Sequence, residues 1–492
     1  MRRVTGRWAD VEVRPDGSKV VGRPYIPGDD PLAEGRPRLR RIVDSILAVS
    51  DEEVSEQLAD VRRRFAGRHR DVERMLWLNA RGVEPLAGEV DDERRLLIGA
   101  YLTQEYAFQA AAVTNPSMVP APDQGGAEPG SMRFVMSLRA IGEGHISSIA
   151  FRTGVVAADG TTTVNDTGPL VETGERGVPV YERKHFAQKL RELGADVSLT
   201  ARVLDQLGRH FGPSELEAAI SVLDDEPRAV THESTKLMRW LAASNYLLKF
   251  DAATTTIQER LIWPVGPFES KGMEDARFVR FTEQDESTTY YATYTAYDGF
   301  EILPQLIETN DFCSFEVSTV NGRSAQNKGM ALFPRTVDGS YLALSRPDRE
   351  NIHLVRSADP RSWHQPSIPV RRPQRPWELI QMGNCGSPIE TEAGWLVLTH
   401  GVGPMRTYRM GAMLLDLDHP DRIIADLAEP ILEAGEEERD GYVPNVVYSC
   451  GGMLHGDHLV VPYGVADQRT RIAVYPLPEL LEALLSGGTS AG

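Results

Sequence analysis

The chain has 492 residues, 41 % of them hydrophobic and 25 % charged, with a formal net charge of −18. That balance is that of a soluble globule with more than one core's worth of chain, and the acidity disfavours nucleic acid and anionic membrane as partners. Cys313, Cys385 and Cys450 are odd in number and match no metal-ligand spacing, so a disulfide framework is not expected and a reducing, cytoplasmic location fits.

Residues 1 to about 35 are rich in Pro and Gly and read as irregular. The stretch RLRRIVDSILAVSDEEVSEQLADVRRRFAG then spaces Ile42, Ile46, Leu47, Val54, Leu58, Val61 and Phe65 three to four apart, which predicts helix. DDERRLLIGAYLTQEYAFQAAAV predicts a second helical segment, with Asp91 as its N-cap. Residues 1–112 are therefore expected to form an irregular and α-helical N-terminal extension.

After Asn115 the texture changes to short strands in pairs, each pair joined by a polar tip. The pairs start near Gly130, Thr288, Gly339, Gly394 and Gly456, and strand starts such as Tyr290, Tyr341, Trp395 and Leu459 recur on the order of every 50–60 residues. Such a repeat of strand units predicts an all-β catalytic core over residues 113–480, folded as a five-bladed β-propeller. A large β-sandwich is the alternative. A helical insert at about 180–243 interrupts the repeat, with Pro213 opening a helix, and residues 481–492 read as a C-terminal tail.

In a propeller, loops that follow equivalent strands gather at one mouth. Here they carry Arg139, Glu143, His145, Tyr297, Asp298, Arg346, Asp348, His400, Tyr463 and Asp467, a polar set suited to a polyhydroxylated ligand. In ESKGMEDARFVRF, Glu274 and Asp275 stand at the mouth of a strand, with Arg277 two residues on and on the same side. A guanidinium beside Asp275 favours its carboxylate, whereas a general acid must keep its proton. NKGMALFPR places Lys328 beside a glycine, where it can hold an anion.

The ordered set GMEDARFVRF, YTAYDG, NKGMALFPR, GSPIETEAGWLVLTHGV, YRMGAMLLDLDHPDRII, GYVPNVVYSCG and VPYGVADQRTRIAV resembles glycoside hydrolase family 130, over about Asn115 to Pro476 apart from the insert. The resemblance implies a five-bladed propeller that cleaves β-mannosides with inversion, by phosphorolysis releasing mannose 1-phosphate or by hydrolysis. It implies Asp275 as proton donor, in a Glu-Asp-Pro-Arg motif whose proline is here Ala276. Asn115, Arg139 and Asp467 would hold the mannosyl unit, with Glu274, Arg277 and Asp298 also binding substrate. Arg323, Lys328 and His400 would hold phosphate, and Gln305 stands where a further phosphate-binding arginine is expected. A hydrolase would need a carboxylate base, for which EAGEEERDG offers candidates.

The expected partners are a β-linked manno-oligosaccharide and inorganic phosphate, with no metal or organic cofactor. The helical additions could cover the pocket or build a homo-oligomer interface. Two rivals from other classes are a non-catalytic sugar-binding propeller and a scaffold that meets proteins through the helical insert.

Overall fold

The computed structural model describes residues 4–28, 37–221, 228–300 and 302–486. The masses of strand fall into antiparallel meanders. The first runs Ala112–Pro120, Met132–Ile141, Ser147–Val156 and Thr162–Val164. The second runs Gly272–Thr282, Thr288–Tyr297, Ile302–Thr309 and Ser314–Thr319, extended by Tyr246–Lys249 and Glu175–Gly177. The third runs Ala331–Leu332, Tyr341–Ser345, Ile352–Ser357 and Ile368–Arg371, and the fourth runs Gln381–Asn384, Gly394–Val402, Tyr408–Leu415 and Ile423–Asp426.

The last meander is built from both ends of the chain. Val447–Tyr448, His458–Val465 and Arg469–Pro476 follow one another, and Arg7–Val13 pairs antiparallel with Arg469–Pro476 as the outer strand. The N-terminal stretch expected to be irregular therefore contains that strand, and a second one, Val20–Pro24, that pairs with Thr103–Ala107. Alternating burial along Arg7–Val13 gives the reason: Ala9, Val11 and Val13 pack on Ile472 and Val474, a period-two pattern that its prolines and glycines obscure.

Each meander opens with a strand that the repeat count missed, ahead of the hairpin that it found. The first and second meanders touch along one parallel contact, Gly272 to Ser147. Gly272 has φ +129°, and a Cβ there would lie 2.4 Å from Ser147 Oγ, so only glycine lets Gly272–Thr282 start this close to its neighbour.

The N-terminal helices are Arg38–Leu47, Asp51–Phe65, Val72–Ala80 and Asp92–Tyr101, with a short turn of helix at Glu84–Ala87. Ser50 and Glu53 form a capping box that splits the first predicted helix in two. Asp91 caps as expected, accepting the Arg94 N–H at 2.7 Å. The segment after Tyr101 is strand, not helix: Thr103–Ala107 and Ala112–Pro120 both satisfy their backbones in sheets, and that pairing overrides the alanine-rich composition. The helices bury Ile46, Val54, Leu58, Leu76 and Leu97 in a core of their own.

Among the described residues the insert holds helices Arg183–Glu192, Val197–Leu204, Pro213–Ile220 and Arg228–Ala243, with Pro at the start of the third. It packs Phe186, Leu190, Val203, Leu216 and Leu241 against Phe151, Phe278, Phe312 and Phe315 of the first two meanders. The C-terminal helix is Leu477–Ser486, and the rest of the expected tail lies outside the described residues. Among the described residues no helix is long and apolar enough to cross a membrane.

Candidate functional site

Two backbone irregularities build the centre of the site. The pairing of Ala112–Pro120 with Met132–Ile141 shifts register between Thr114 and Ser117, and that of Gly272–Thr282 with Thr288–Tyr297 shifts between Glu274 and Arg277. Asn115 and Asp275 sit in these bulges with φ of +49° and +55°. Left-handed backbone is uncommon outside glycine and least costly for Asn and Asp, and a bulge re-aims the side chain that it carries. The two side chains meet: Asn115 Nδ2 donates to Asp275 Oδ1.

Arg277 is buried behind them. Its Nη2 donates to the Tyr448 hydroxyl at 2.6 Å and lies 3.6 Å from Asp275 Oδ2, while Nη1 donates to the Asp275 carbonyl at 3.1 Å. Glu274, one residue before the acid, joins two other meanders. It accepts from Arg139 Nη2 at 2.6 Å and pairs with Lys328 Nζ. On the other side of Tyr448, the His400 ring packs edge-on at 5.0 Å, and Arg346 Nη1 donates to His400 Nε2 at 3.3 Å. Gly383 keeps this corner open, because a Cβ there would lie 2.6 Å from the His400 ring. Asp467 follows Gly464 on the last meander with φ +48°, within electrostatic reach of Arg139, Asp275, Arg406 and Glu274.

The charges set the protonation states. Burial works to raise the Asp275 pKa, but Arg277, then Lys328 and Arg139, then the Asn115 hydrogen bond outweigh it and hold the carboxyl below its ordinary range. The neighbours thus favour the carboxylate in the ligand-free protein. Burial first, then the Arg346 and Arg277 charges, hold His400 well below the ordinary imidazole range, so its ring is neutral. Burial raises Asp467 to about 6, with Asp275 and Glu274 adding to the shift and Arg139 and Arg406 opposing it. Arg139, Arg277, Lys328 and Arg346 face Glu274, Asp275 and Asp467, which leaves local positive charge inside an acidic protein. An anion gains from that surplus.

Asn115, Arg139, Glu274, Asp275, Arg277, Lys328, His400 and Asp467 are thus drawn together, as expected. Arg323 is not. It is exposed and makes no hydrogen bond or ion pair among the described residues, and its loop is clamped elsewhere, with Gly322 N–H donating to Glu192 of the insert at 2.9 Å. Asp298 caps its own turn by accepting the Phe300 N–H at 2.8 Å. Gln305 is closed off from solvent. It is fully buried in Ile302–Thr309 between Tyr294 and Thr319, and neither amide atom has a partner among the described residues.

Other residues of the polar tips have structural tasks. Tyr463 is buried and donates to Glu438, which also binds Arg471, so the one buried acid of EAGEEERDG is engaged in the core. Asp348 accepts from Asn351 and lies 2.8 Å from His353 Nε2. Arg346, expected only as one of the polar tips and not among the phosphate-binding residues, stands beside His400. It directly follows the strand Tyr341–Ser345, and His400 lies near the end of Gly394–Val402, but only the fold shows that the two meet. Tyr448 had no signal of its own.

Comparison with known proteins identifies the family. Residues 248–485 match a family model described as beta-1,4-mannooligosaccharide phosphorylase. The chain is 31 % identical over 290 residues to the beta-1,2-mannobiose phosphorylase of Listeria innocua, covering 55 % of this chain and 79 % of that one. It is 34 % identical over 221 residues to the 1,2-beta-oligomannan phosphorylase of Thermoanaerobacter sp. strain X514, covering 43 % and 71 %. The solved beta-1,2-mannobiose complex of the Listeria innocua enzyme aligns at 22 % identity with a TM-score of 0.46, covering 76 % of this chain and 92 % of that one. The two curated relatives, 31 % and 34 % identical and covered over more than two thirds of their length, place the chain among carbohydrate-active proteins. It belongs to glycoside hydrolase family 130.

Proposed function

We propose that the chain is a β-mannoside phosphorylase, inverting at the anomeric carbon, on a five-bladed propeller whose blades are the five meanders. One observation carries the reading. Side chains from all five meanders converge on one carboxyl: Asn115 and Arg139, Glu274 and Arg277, Lys328 and Arg346, His400, and Tyr448 and Asp467. Strands closed around an axis bring five sheets to one point, and the pairing of Arg7–Val13 with Arg469–Pro476 supplies the closure.

Asn115, Arg139 and Asp467 hold the mannosyl unit, and Glu274 keeps Arg139 in place. Lys328, His400 and Arg346 receive phosphate. The Arg346 guanidinium supplies the two-pronged donor that the sequence lacks at Gln305. Arg323 has no part in this reading, and Asp298 serves the shape of its turn.

In the reaction, a phosphate oxygen bonds to the anomeric carbon as the bond from that carbon to the leaving oxygen breaks. Asp275 gives its proton toward that oxygen through the sugar's own hydroxyl, and the proton of the phosphate monoester dianion's precursor, hydrogen phosphate, restores the acid. Net, hydrogen phosphate and a β-mannoside become mannose 1-phosphate and a free sugar hydroxyl. Bound phosphate also offsets the positive charge of Lys328, one of the cations that hold Asp275 ionised, and so favours the protonated acid, while Arg277, the larger influence, still opposes it. The reading also takes the protein to work in a reducing, cytoplasmic compartment.

The test is incubation with β-1,2- and β-1,4-mannobiose, with and without inorganic phosphate. Mannose 1-phosphate formed only with phosphate supports the reading. Free mannose released at equal rates in both arms replaces it with hydrolysis.

A further inference from the structure

The rim of the site carries an aromatic pair that no step above uses. His145 ends the tip between Met132–Ile141 and Ser147–Val156, and Tyr442 comes from the loop ahead of Val447–Tyr448. Their rings stack with centroids 5.5 Å apart and planes 16° apart, and His145 Nδ1 is hydrogen-bonded to the Tyr442 hydroxyl. Both rings are exposed, Tyr442 by 45 %.

Both are held from below. Tyr106 donates to the Glu143 carbonyl at 2.7 Å and Gly142 N–H to the Ile146 carbonyl at 3.2 Å, which fixes the tip that bears His145. Val443 N–H donates to the Ala466 carbonyl at 2.8 Å, one residue from Asp467, which fixes Tyr442 beside the site. His145 lies within electrostatic reach of Arg139 and Glu274. A rigid pair of half-exposed rings therefore overhangs the side of the site formed by Arg139, Glu274 and Asp467.

We propose that the stacked rings of His145 and Tyr442 are the platform for the leaving sugar, the pyranose on the far side of the scissile bond, and so select the acceptor in the reverse reaction. The inference rests on the phosphorylase reading and deepens it. A pyranose has one face of C–H bonds, which packs on the electron-rich face of an aromatic ring, and its rim of hydroxyls remains free for hydrogen bonds. The pair is already ordered without ligand, so little freedom is lost when the sugar docks. Its place at the mouth, outside the buried carboxyl cluster, matches the group that must depart rather than the one that is transferred.

The experiment runs the enzyme in the synthetic direction, with mannose 1-phosphate as donor and mannose as acceptor. Tyr442→Ala and His145→Ala are each expected to raise the KM for mannose about tenfold, and to leave the KM for mannose 1-phosphate within about twofold. Tyr442→Phe keeps the ring and is expected to stay within about threefold of wild type for both. Should Tyr442→Ala not fold, His145→Ala reads the same quantity from the other meander. Unchanged KM for mannose in the alanine variants overturns the platform alone, as does an equal rise in both constants. A wild-type protein that makes no β-mannoside from mannose 1-phosphate overturns the parent reading and the platform with it.

Discussion

Asn115 and Asp275 meet because two neighbouring strands carry the same defect, a bulge with a non-glycine residue at positive φ. The contact between them is both a hydrogen bond and an alignment device: each side chain leaves its sheet in a direction that regular pleating forbids. Asp275→Asn keeps the shape and removes the proton, and turnover is expected to fall by about 10³-fold or more with the thermal midpoint little changed. Asn115→Ala leaves the acid but frees its orientation, with an expected loss of about 10²-fold in kcat. Mannose 1-phosphate release under saturating substrate measures both; an Asp275→Asn variant with wild-type turnover would remove Asp275 from the chemistry.

Lys328 and Arg346 reach the site from the same meander by different routes, one through Glu274 and one through His400. If they hold phosphate, Lys328→Ala and Arg346→Ala raise the KM for phosphate by about tenfold each and move the KM for the mannoside far less. Arg323→Ala is expected to change neither. Initial rates over a phosphate series at fixed mannobiose decide it, and an Arg323 variant that alone loses phosphate affinity would restore the reading from sequence.

His400 and Asp467 pull stability in opposite directions as the pH falls. The native His400 does not take a proton near its ordinary pKa of 6.5, whereas the unfolded chain does, so its contribution is present above about 6.5 and lost below at about 1.4 kcal/mol per pH unit. The native Asp467 takes its proton at about 6, against 3.8 when unfolded, so stability rises as pH falls between those values. His400→Gln should therefore gain on wild type as the pH drops below about 6.5. Asp467→Asn should gain above about pH 6 and lose that gain in acid. Urea unfolding of the three proteins across that range tests both signs, and parallel curves would contradict them.

Gln305 is buried with neither amide atom bonded among the described residues. An unpaired buried amide costs on the order of 1–3 kcal/mol, and a side chain of similar volume without polar atoms avoids that cost. Gln305→Met is expected to raise stability by about 1 kcal/mol and leave the KM for phosphate unchanged. Chemical denaturation and phosphate kinetics on the same variant check the two halves separately, and lost phosphate affinity would put the amide back in the site.

Much of this was legible along the chain. The period-two runs after Asn115 fixed the hairpins, because sheet burial imposes that period on each strand by itself. Ser50 and Asp91 carried their caps in local sequence, although the break that Ser50 makes was hidden by helical spacing continuing on either side. Glu274, Asp275, Lys328 and His400 were found through motifs, since chemistry restricts their types and their neighbours.

What stayed hidden needs contacts between distant residues. Arg7–Val13 reads as irregular until its partner, more than 450 residues away, satisfies its backbone. Arg346 became a neighbour of His400, and Arg323 did not join it, only when the turns between sheets were set. Local sequence determined which segments extend and which side chains can transfer a proton or hold an anion, because those properties belong to a residue and its nearest neighbours. The tertiary structure alone decided which of them share a site, because the register of two bulged strands and the closure of the last sheet are settled by packing across the whole chain.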